Sequence, residues 1–348
     1  MRILTLFKNS ILQSKREAVL GFDLGSHTIK CAELTKKRDR IILNGFTRVK
    51  TFENTIINQL INDSHLLRSN LKNLILNFKP NSNRAFISIP YEITIYGNFT
   101  IRNPEAIQEI DKQINDEIPY NIDDVYYSYF ILPEKDGYVV HYLVSKKENI
   151  DILIDVFTSL NLTIENIDAD FVNLHNFFEF LYGPENRLII DWGYENVKLH
   201  FSTKDTPVYT RELFNLGIKN IKTKLQKELK VTSDLVEKFF LNPPNDDNRE
   251  KIRKIVKEYI IKLADEIRFG IDIARSKYNL TPEKFYLIGG GARIPNINNI
   301  LSKLTNVEIE LVDIKKKLEI SENIDPLYLD IINKQGILAI ASAVRKYL

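Results

Sequence analysis

Three short glycine turns constrain this chain more than any other feature. They are Gly21-Phe22-Asp23-Leu24-Gly25-Ser26-His27-Thr28-Ile29-Lys30, Asp191-Trp192-Gly193 and Gly289-Gly290-Gly291-Ala292-Arg293-Ile294-Pro295. The first two put an acid at the end of an expected strand, then a glycine turn, then a second strand. Without a Cβ, a glycine turn lets backbone N–H groups approach an anion. An acid at that place can hold Mg²⁺ through water, because the ion keeps several of its waters and takes only one or two carboxylates. The third turn joins the expected strand Phe285–Ile288 to a helix, giving an adenosine or phosphate backbone to rest on. A Rossmann reading of it fails: there is no glycine-x-glycine-x-x-glycine run and no alternating βαβ pattern after it. In this order and separation the three turns outline a split nucleotide clamp.

Composition closes off other classes. The 348 residues are enough for two domains of ordinary size. With 44% hydrophobic and 27% charged residues the chain reads as globular, and a net charge of +2 gives no strong field for nucleic acid. Cys31 is the single cysteine, so no disulfide framework exists and a reducing compartment fits. The five histidines are scattered without paired ligand spacing. No apolar run reaches the roughly 18–20 residues that span a bilayer. Residues 1–18 form a basic arm in which Ile3, Leu4, Leu6, Phe7, Ile11 and Leu12 alternate with Arg2, Lys8, Lys15 and Arg16. As a helix it would be amphipathic, lying either on an anionic membrane or partner, or against its own domain.

Periodicity divides the rest. Val19–Asp23, Thr28–Leu34 and Ile41–Lys50 read as three strands, and Glu53–Phe78 carries helical spacing with a break near Asn62–Ser64. Residues 84–146 read as an inserted β-β-α-β-β subdomain, and 147–183 return to the first domain, which also holds 19–83. Gly183-Pro184-Glu185-Asn186 is the expected boundary. Three strands then echo the opening ones: Arg187–Asp191, Asn196–Ser202 and Thr206–Glu212. The second domain is expected over 184–217 and 280–348, with a helical lid at 218–279.

The order of the turns resembles the actin/Hsp70/sugar-kinase ATPase superfamily, and within it the PilM family of type IV pilus assembly proteins. The likeness runs over nearly the whole chain. Gly21–Leu34 is similar to the family's first phosphate hairpin. Glu117-Ile118-Pro119-Tyr120 followed by Val125–Leu132, Asn161–Asp170, and Tyr209-Thr210-Arg211-Glu212 with Leu216-Gly217-Ile218 resemble its further segments. The Ile118-Pro119 segment and Met1–Phe7 favour PilM over Hsp70 or FtsA. The fold this implies is α/β: a two-domain actin-like (ribonuclease H-like) ATPase fold with a small inserted α+β subdomain. ATP and Mg²⁺ are the implied cofactors.

The resemblance assigns candidate roles. Asp23 and Asp191 would hold Mg²⁺ through water, although Asp23 also reads as a turn aspartate capping its own backbone. Gly25, Ser26, His27 and Gly193 would offer turn N–H groups to phosphates. Lys30 stands where the family has lysine and either reaches phosphate or lies at the surface. Gly289, Gly290 and Gly291 would carry the adenosine, and Glu237 matches a lid glutamate that touches ribose. The lysine three residues beyond that glutamate is replaced by Phe240. Asn196 replaces a threonine common in the superfamily. Asp170 lies where the superfamily positions the attacking water, and equally suits an N-cap. No acyl-transfer constellation stands out.

The function implied is a cytoplasmic, ATP-binding platform, peripheral to the inner membrane and at most a weak ATPase. Its expected partner is the short cytosolic N-terminal tail of a PilN-like single-pass protein, docked near residues 84–146. Pilus motor or platform proteins are further partners the family suggests. The alternatives are an ATPase or small-molecule kinase of the same superfamily, or an FtsA-like division tether. Secretion and competence machines share a similar platform.

Overall fold

The structure, a computed structural model, describes residues 7–8, 18–102, 107–135, 137–241 and 248–348. The chain parts into two compact units. The first comprises residues 1–176, Glu319–Ser321 and Leu338–Leu348, and the second comprises Phe177–Leu318 and Glu322–Ile337.

In chain order the first unit contains β1 (Phe7–Lys8), β2 (Val19–Leu24), β3 (Thr28–Lys37), β4 (Arg40–Lys50), β5 (Ile56–Ile57), β6 (Leu60–Ile61) and α1 (Ser64–Phe78). There follow β7 (Arg84–Ile89), β8 (Ile95–Ile101), α2 (Ile107–Glu117), β9 (Val125–Glu134), β10 (Gly137–Lys146), α3 (Lys147–Thr158), β11 (Thr163–Ala169) and the start of α4 (Asp170–Tyr182). Strand alternation sorts the main sheet. Leu20, Phe22, Ile29, Cys31 and Ile87 are fully buried in one core with Leu67, Leu71 and Leu74 of α1 and Leu153, Val156 and Phe157 of α3. The other face takes a helix so closely that a Cβ on Gly21 would lie 2.0 Å from the Ala339 carbonyl oxygen.

The insert is smaller than the expected β-β-α-β-β block over 84–146: β7 pairs with β2 and β11 in the main sheet, leaving β8, α2, β9 and β10 as an antiparallel sheet ordered β8-β10-β9 with Ile110 and Ile114 of α2 packed into its core. Aromatic rings join the insert to α4 and the core beneath it. His141 lies between Phe130 and Tyr96, with ring centroids 4.9 and 5.9 Å away, and Tyr96 meets Phe171 edge-on. The Tyr96 hydroxyl and His141 Nδ1 share a 2.9 Å hydrogen bond.

The second unit holds the remainder of α4, then β12 (Arg187–Trp192), β13 (Val197–Ser202), β14 (Pro207–Leu213), α5 (Ile218–Leu229), α6 (Ser233–Leu241) and α7 (Asn248–Tyr278). It continues with β15 (Lys284–Gly289), α8 (Ile297–Thr305), β16 (Ile309–Leu311) and α9 (Pro326–Gln335), while between the last two β17 (Leu318–Ile320) joins the first unit's sheet beside β4. Its sheet is ordered β14-β13-β12-β15-β16, and the long α7 lays Leu263, Ile267 and Ile271 into a core shared with Leu199 and Phe201. The chain then closes with α10 (Ile337–Val344).

Four further expectations change. The helix expected from Glu53 begins at Ser64, capped by Asp63, and Ile56–Ile61 is a two-stranded hairpin instead. Its turn residues Asn58 and Gln59 both have positive φ, which asparagine tolerates and a helix does not. The division between units falls inside α4, after Asn176, and not at Gly183, because that helix continues unbroken to Tyr182. Residues 338–348 group with the first unit, where Ala339 and Ala343 seat on Gly21 and Arg345 bonds Asp168. Finally, Phe7–Lys8 is a strand on Ile167 and Asn166 and not part of a helix, while the rest of the expected arm, 1–6 and 9–17, lies outside the described residues.

Among the described residues no single helix is long and apolar enough to cross a membrane.

Candidate functional site

The first hairpin, β2–β3, sets Asp23 and Lys30 as cross-strand partners. Lys30 Nζ donates to Asp23 Oδ2 at 2.7 Å, and both side chains are mostly buried. Between them the turn is fixed from beneath. Thr51 donates its hydroxyl to the Gly25 carbonyl at 2.7 Å and its backbone N–H to the His27 carbonyl at 3.0 Å. Gly25 is required sterically, since a Cβ there would lie 2.8 Å from the Thr28 carbonyl oxygen. Ser26 and His27 form the tip. Cys31, one residue beyond Lys30, is fully buried on the opposite face. Burial pushes its thiol well up, so it stays neutral.

The second hairpin, β12–β13, repeats the plan in the second unit. Asp191 is the cross-strand partner of Lys198, and Gly193 opens the turn. The start of α5 locks this turn: Ile218 N–H donates to the Gly193 carbonyl at 3.2 Å and Lys219 N–H to Tyr194 at 2.8 Å. Gly217 allows that approach, for a Cβ on it would lie 2.2 Å from the Glu195 backbone. Trp192 points inward, is fully buried, and donates Nε1–H to the Leu216 carbonyl at 2.9 Å. Asn196 donates its amide to the Glu212 carboxylate.

The third turn lies against the second. β15 runs parallel to β12, pairing Ile288 with Asp191 and Gly289 with Trp192. Gly289 has φ +88°, and a Cβ on it would meet Asp191 Oδ1 at 2.5 Å. A Cβ on Gly291 would lie 2.2 Å from the Trp192 ring. Only Gly290 has room, its nearest neighbour being Gln335 Nε2 at 3.6 Å. The structure therefore brings Asp191, Gly193, Gly289, Gly290 and Gly291 together in the second unit, as it brings Asp23, Gly25, Ser26, His27 and Lys30 together in the first.

Two candidates stand apart. Asp170 opens α4 and its Oδ1 accepts the Phe171 N–H at 2.7 Å, the geometry of an acid serving its own helix start. Glu237 is on α6, but its side chain lies outside the described residues. Lys198 is the residue that sequence reading missed. Its signal was present: Asp-x-Gly followed by lysine seven positions after the acid occurs at both 23–30 and 191–198.

In the first hairpin the donor set fits a water-held Mg²⁺ poorly: the Asp23 carboxylate already bonds the Lys30 ammonium, whose charge opposes a divalent cation.

An apolar pocket in the first unit lies between the β5–β6 hairpin, the ends of β2 and β7, and α3. Leu24, Ile56, Ile61, Ile89, Ile93 and Leu153 line it. Ile57 and Leu60 on the hairpin, and Phe52 just before it, are exposed.

Comparison with known proteins follows this geometry. The family described as type IV pilus assembly protein PilM matches residues 21–347. A search of the curated proteins finds no match. Among solved structures, the PilM–PilN type IV pilus biogenesis complex superposes with a TM-score of 0.80 at 17% identity, covering 95% of this chain and 98% of that one. The ethanolamine utilization protein EutJ from Carboxydothermus hydrogenoformans gives 0.52 at 14% identity, covering 97% and 92%. MreB 5 of Spiroplasma citri bound to AMPPNP gives 0.51 at 12% identity, covering 92% and 95%. The fold is actin-like, and the chain belongs to the type IV pilus assembly protein PilM family.

Proposed function

We propose that this chain is a nucleotide-binding cytoplasmic platform of a type IV pilus inner-membrane assembly, which docks the short tail of a PilN-like membrane protein. The recurrence of acid, glycine turn and lysine in both hairpins, with a three-glycine turn against the second acid, carries the nucleotide part. ATP is the ligand this reading takes, with phosphate at the Asp191–Gly193 turn and adenosine on the neighbouring third turn near Gly290. The MreB relative of the same fold was solved with AMPPNP, which supports this choice.

The partner follows from the family and from the structural relative solved with PilN. The apolar pocket at the foot of the insert, with the exposed Ile57 and Leu60 beside it, suits an apolar anchor from a short extended tail. Nucleotide then acts as a ligand that favours one state of the platform by differential affinity. Slow or absent turnover accords with Asn196, whose amide goes to Glu212, and with Asp170, whose carboxylate serves its helix.

The test is capture from detergent-solubilised membranes with the full chain and ATP. The expected product is a single-pass protein with a short cytosolic N-terminal tail. A synthetic copy of that tail should bind the pure chain and lose most of its affinity to Ile93→Asp. Recovery of a tubulin-like division protein would favour the tether reading, and sustained ATP turnover with a sugar would favour the kinase.

A further inference from the structure

Charge is unevenly placed along this chain. Overall 48 Lys and Arg stand against 46 Asp and Glu, a net of +2. Residues 218–230 and 248–262, which are α5 with its cap and the first half of α7, hold eleven Lys or Arg and three Glu. In the rest of the chain taken together, acids outnumber bases. The two helices lie side by side in the second unit. Lys224 Nζ on α5 donates to Glu258 on α7 at 2.6 Å, and Tyr259 donates its hydroxyl to the Asn220 carbonyl at 3.4 Å. Their inner faces pack into the core through Ile221 and Leu225 of α5 and Ile252 and Ile255 of α7. The bases are left outside: Lys227, Lys230, Lys251, Lys254, Lys257 and Lys262 are all exposed. Lys251, Lys254, Glu258 and Lys262 fall on one stripe of α7, the stripe beside α5. Of the three acids, Glu258 is bridged to Lys224 and Glu250 to Arg253. Among the described residues none of the six exposed lysines is in an ion pair.

We propose that this ridge of α5 and α7 is a contact surface for anionic lipid headgroups, which holds the chain to an acidic membrane face without nucleotide and without a protein partner. Charge complementarity selects the occupant. Six uncompensated ammonium groups on two adjoining helices suffice for association with acidic lipids, each adding roughly fivefold in affinity near the surface. The residue type selects it further. Nine of the eleven bases are lysine. Lysine is a point charge on a mobile stem and suits a fluid layer of headgroups, whereas the rigid fork of arginine suits nucleic acid. Single-stranded nucleic acid also stacks on open aromatic faces. The one aromatic residue of these two segments, Tyr259, is half-buried with its hydroxyl bonded to α5. Ile261, one turn beyond Lys257 and 39% exposed, gives the same face an apolar contact at headgroup level.

The experiment is sedimentation of the full chain, free of nucleotide, with vesicles of phosphatidylcholine alone and of phosphatidylcholine mixed with phosphatidylglycerol. At low salt the expected affinity is at least about a hundredfold higher for the acidic vesicles, and most of that difference should vanish at ~0.5 M salt. Equal affinity for both, or binding to neither, overturns the proposal and leaves the nucleotide and partner readings untouched. Tighter retention by a short DNA duplex than by the acidic vesicles overturns the lipid assignment. Lys227→Gln, Lys251→Gln and Lys254→Gln in one chain remove exposed charge without touching the core. That chain should melt like the wild type and bind the acidic vesicles on the order of a hundredfold more weakly. A control chain with Lys315→Gln, Lys316→Gln and Lys317→Gln loses the same charge from another exposed segment and should stay within about threefold of wild type. Equal losses in the two chains would mean that net charge and not this ridge does the binding, and would overturn the placement.

Discussion

Substituting Gly291 and Gly290 separately tests whether the third turn is built as described. A Cβ on Gly291 would lie 2.2 Å from Cγ and Cδ2 of Trp192 and 2.6 Å from Cε3. The indole has nowhere to retreat. It is fully buried and its Nε1–H is bonded to the Leu216 carbonyl at 2.9 Å. Gly291→Ala should therefore cost about 3 kcal/mol, the upper part of the overpacking range. For a cooperative unit of this size that is a fall in Tm of roughly 6–12 °C. Gly290→Ala meets nothing nearer than 3.6 Å and needs no positive φ, so its stability should stay within about 0.5 kcal/mol of wild type. The assay is thermal melting of the three proteins by circular dichroism, followed by ATP titration of those that fold. Gly290→Ala should fold normally and bind ATP several-fold more weakly, because its methyl stands where backbone would meet the base. Equal melting of all three, or a greater loss at Gly290, would refute the packing argument.

Three other outcomes are expected. His141 is held neutral by burial between two rings, its pKa lowered to about 4. The unfolded chain binds the proton first, near 6.5. Stability should therefore fall as pH drops from about 6.5 towards 4, by roughly 3 kcal/mol in all, and be flat for this group above 7. Urea melts at pH 7 and pH 5 check this, with His141→Phe showing a shallower slope. Arg345→Met leaves Asp168, which is fully buried, without its ion-pair partner at 2.7 Å and should cost about 3–5 kcal/mol; Asp168→Asn in the same chain should restore part of it. Gly21→Ala places a Cβ 2.0 Å from the Ala339 carbonyl oxygen and should expose residues 338–348 to faster amide exchange.

The sequence was most readable where one residue type has one physical use. Gly25 and Gly289 mark turns because other side chains collide there, and alternation marked the strands on either side of them. It was least readable where two patterns overlap. Ile56, Ile57, Leu60 and Ile61 satisfy helical spacing, yet Asn58 and Gln59 take left-handed conformations and make a hairpin. The Asp63 cap was the local signal that the helix starts later. The start of α9 was equally legible and went unread: Asp325 caps it and Pro326 takes its first turn. Lys198 was hidden because a lysine on a strand normally reads as surface. Its place opposite Asp191 and Glu212 comes from pairing with two other strands, which exists only after the sheet forms. The return of Leu338–Leu348 to the first unit rests on a contact with Gly21, more than 300 residues away in sequence, for which no local pattern exists.

The central claim is that Asp191 and the 289–291 turn receive a nucleotide. Trp192 is the single tryptophan of the chain, and its ring lies against Gly291. The most direct measurement is the emission of that tryptophan during an ATP titration of the full chain, with calorimetry on the same sample. The account expects a saturable change in emission at the concentrations where heat is released, weakened in Gly290→Ala. Flat emission together with no heat would contradict it.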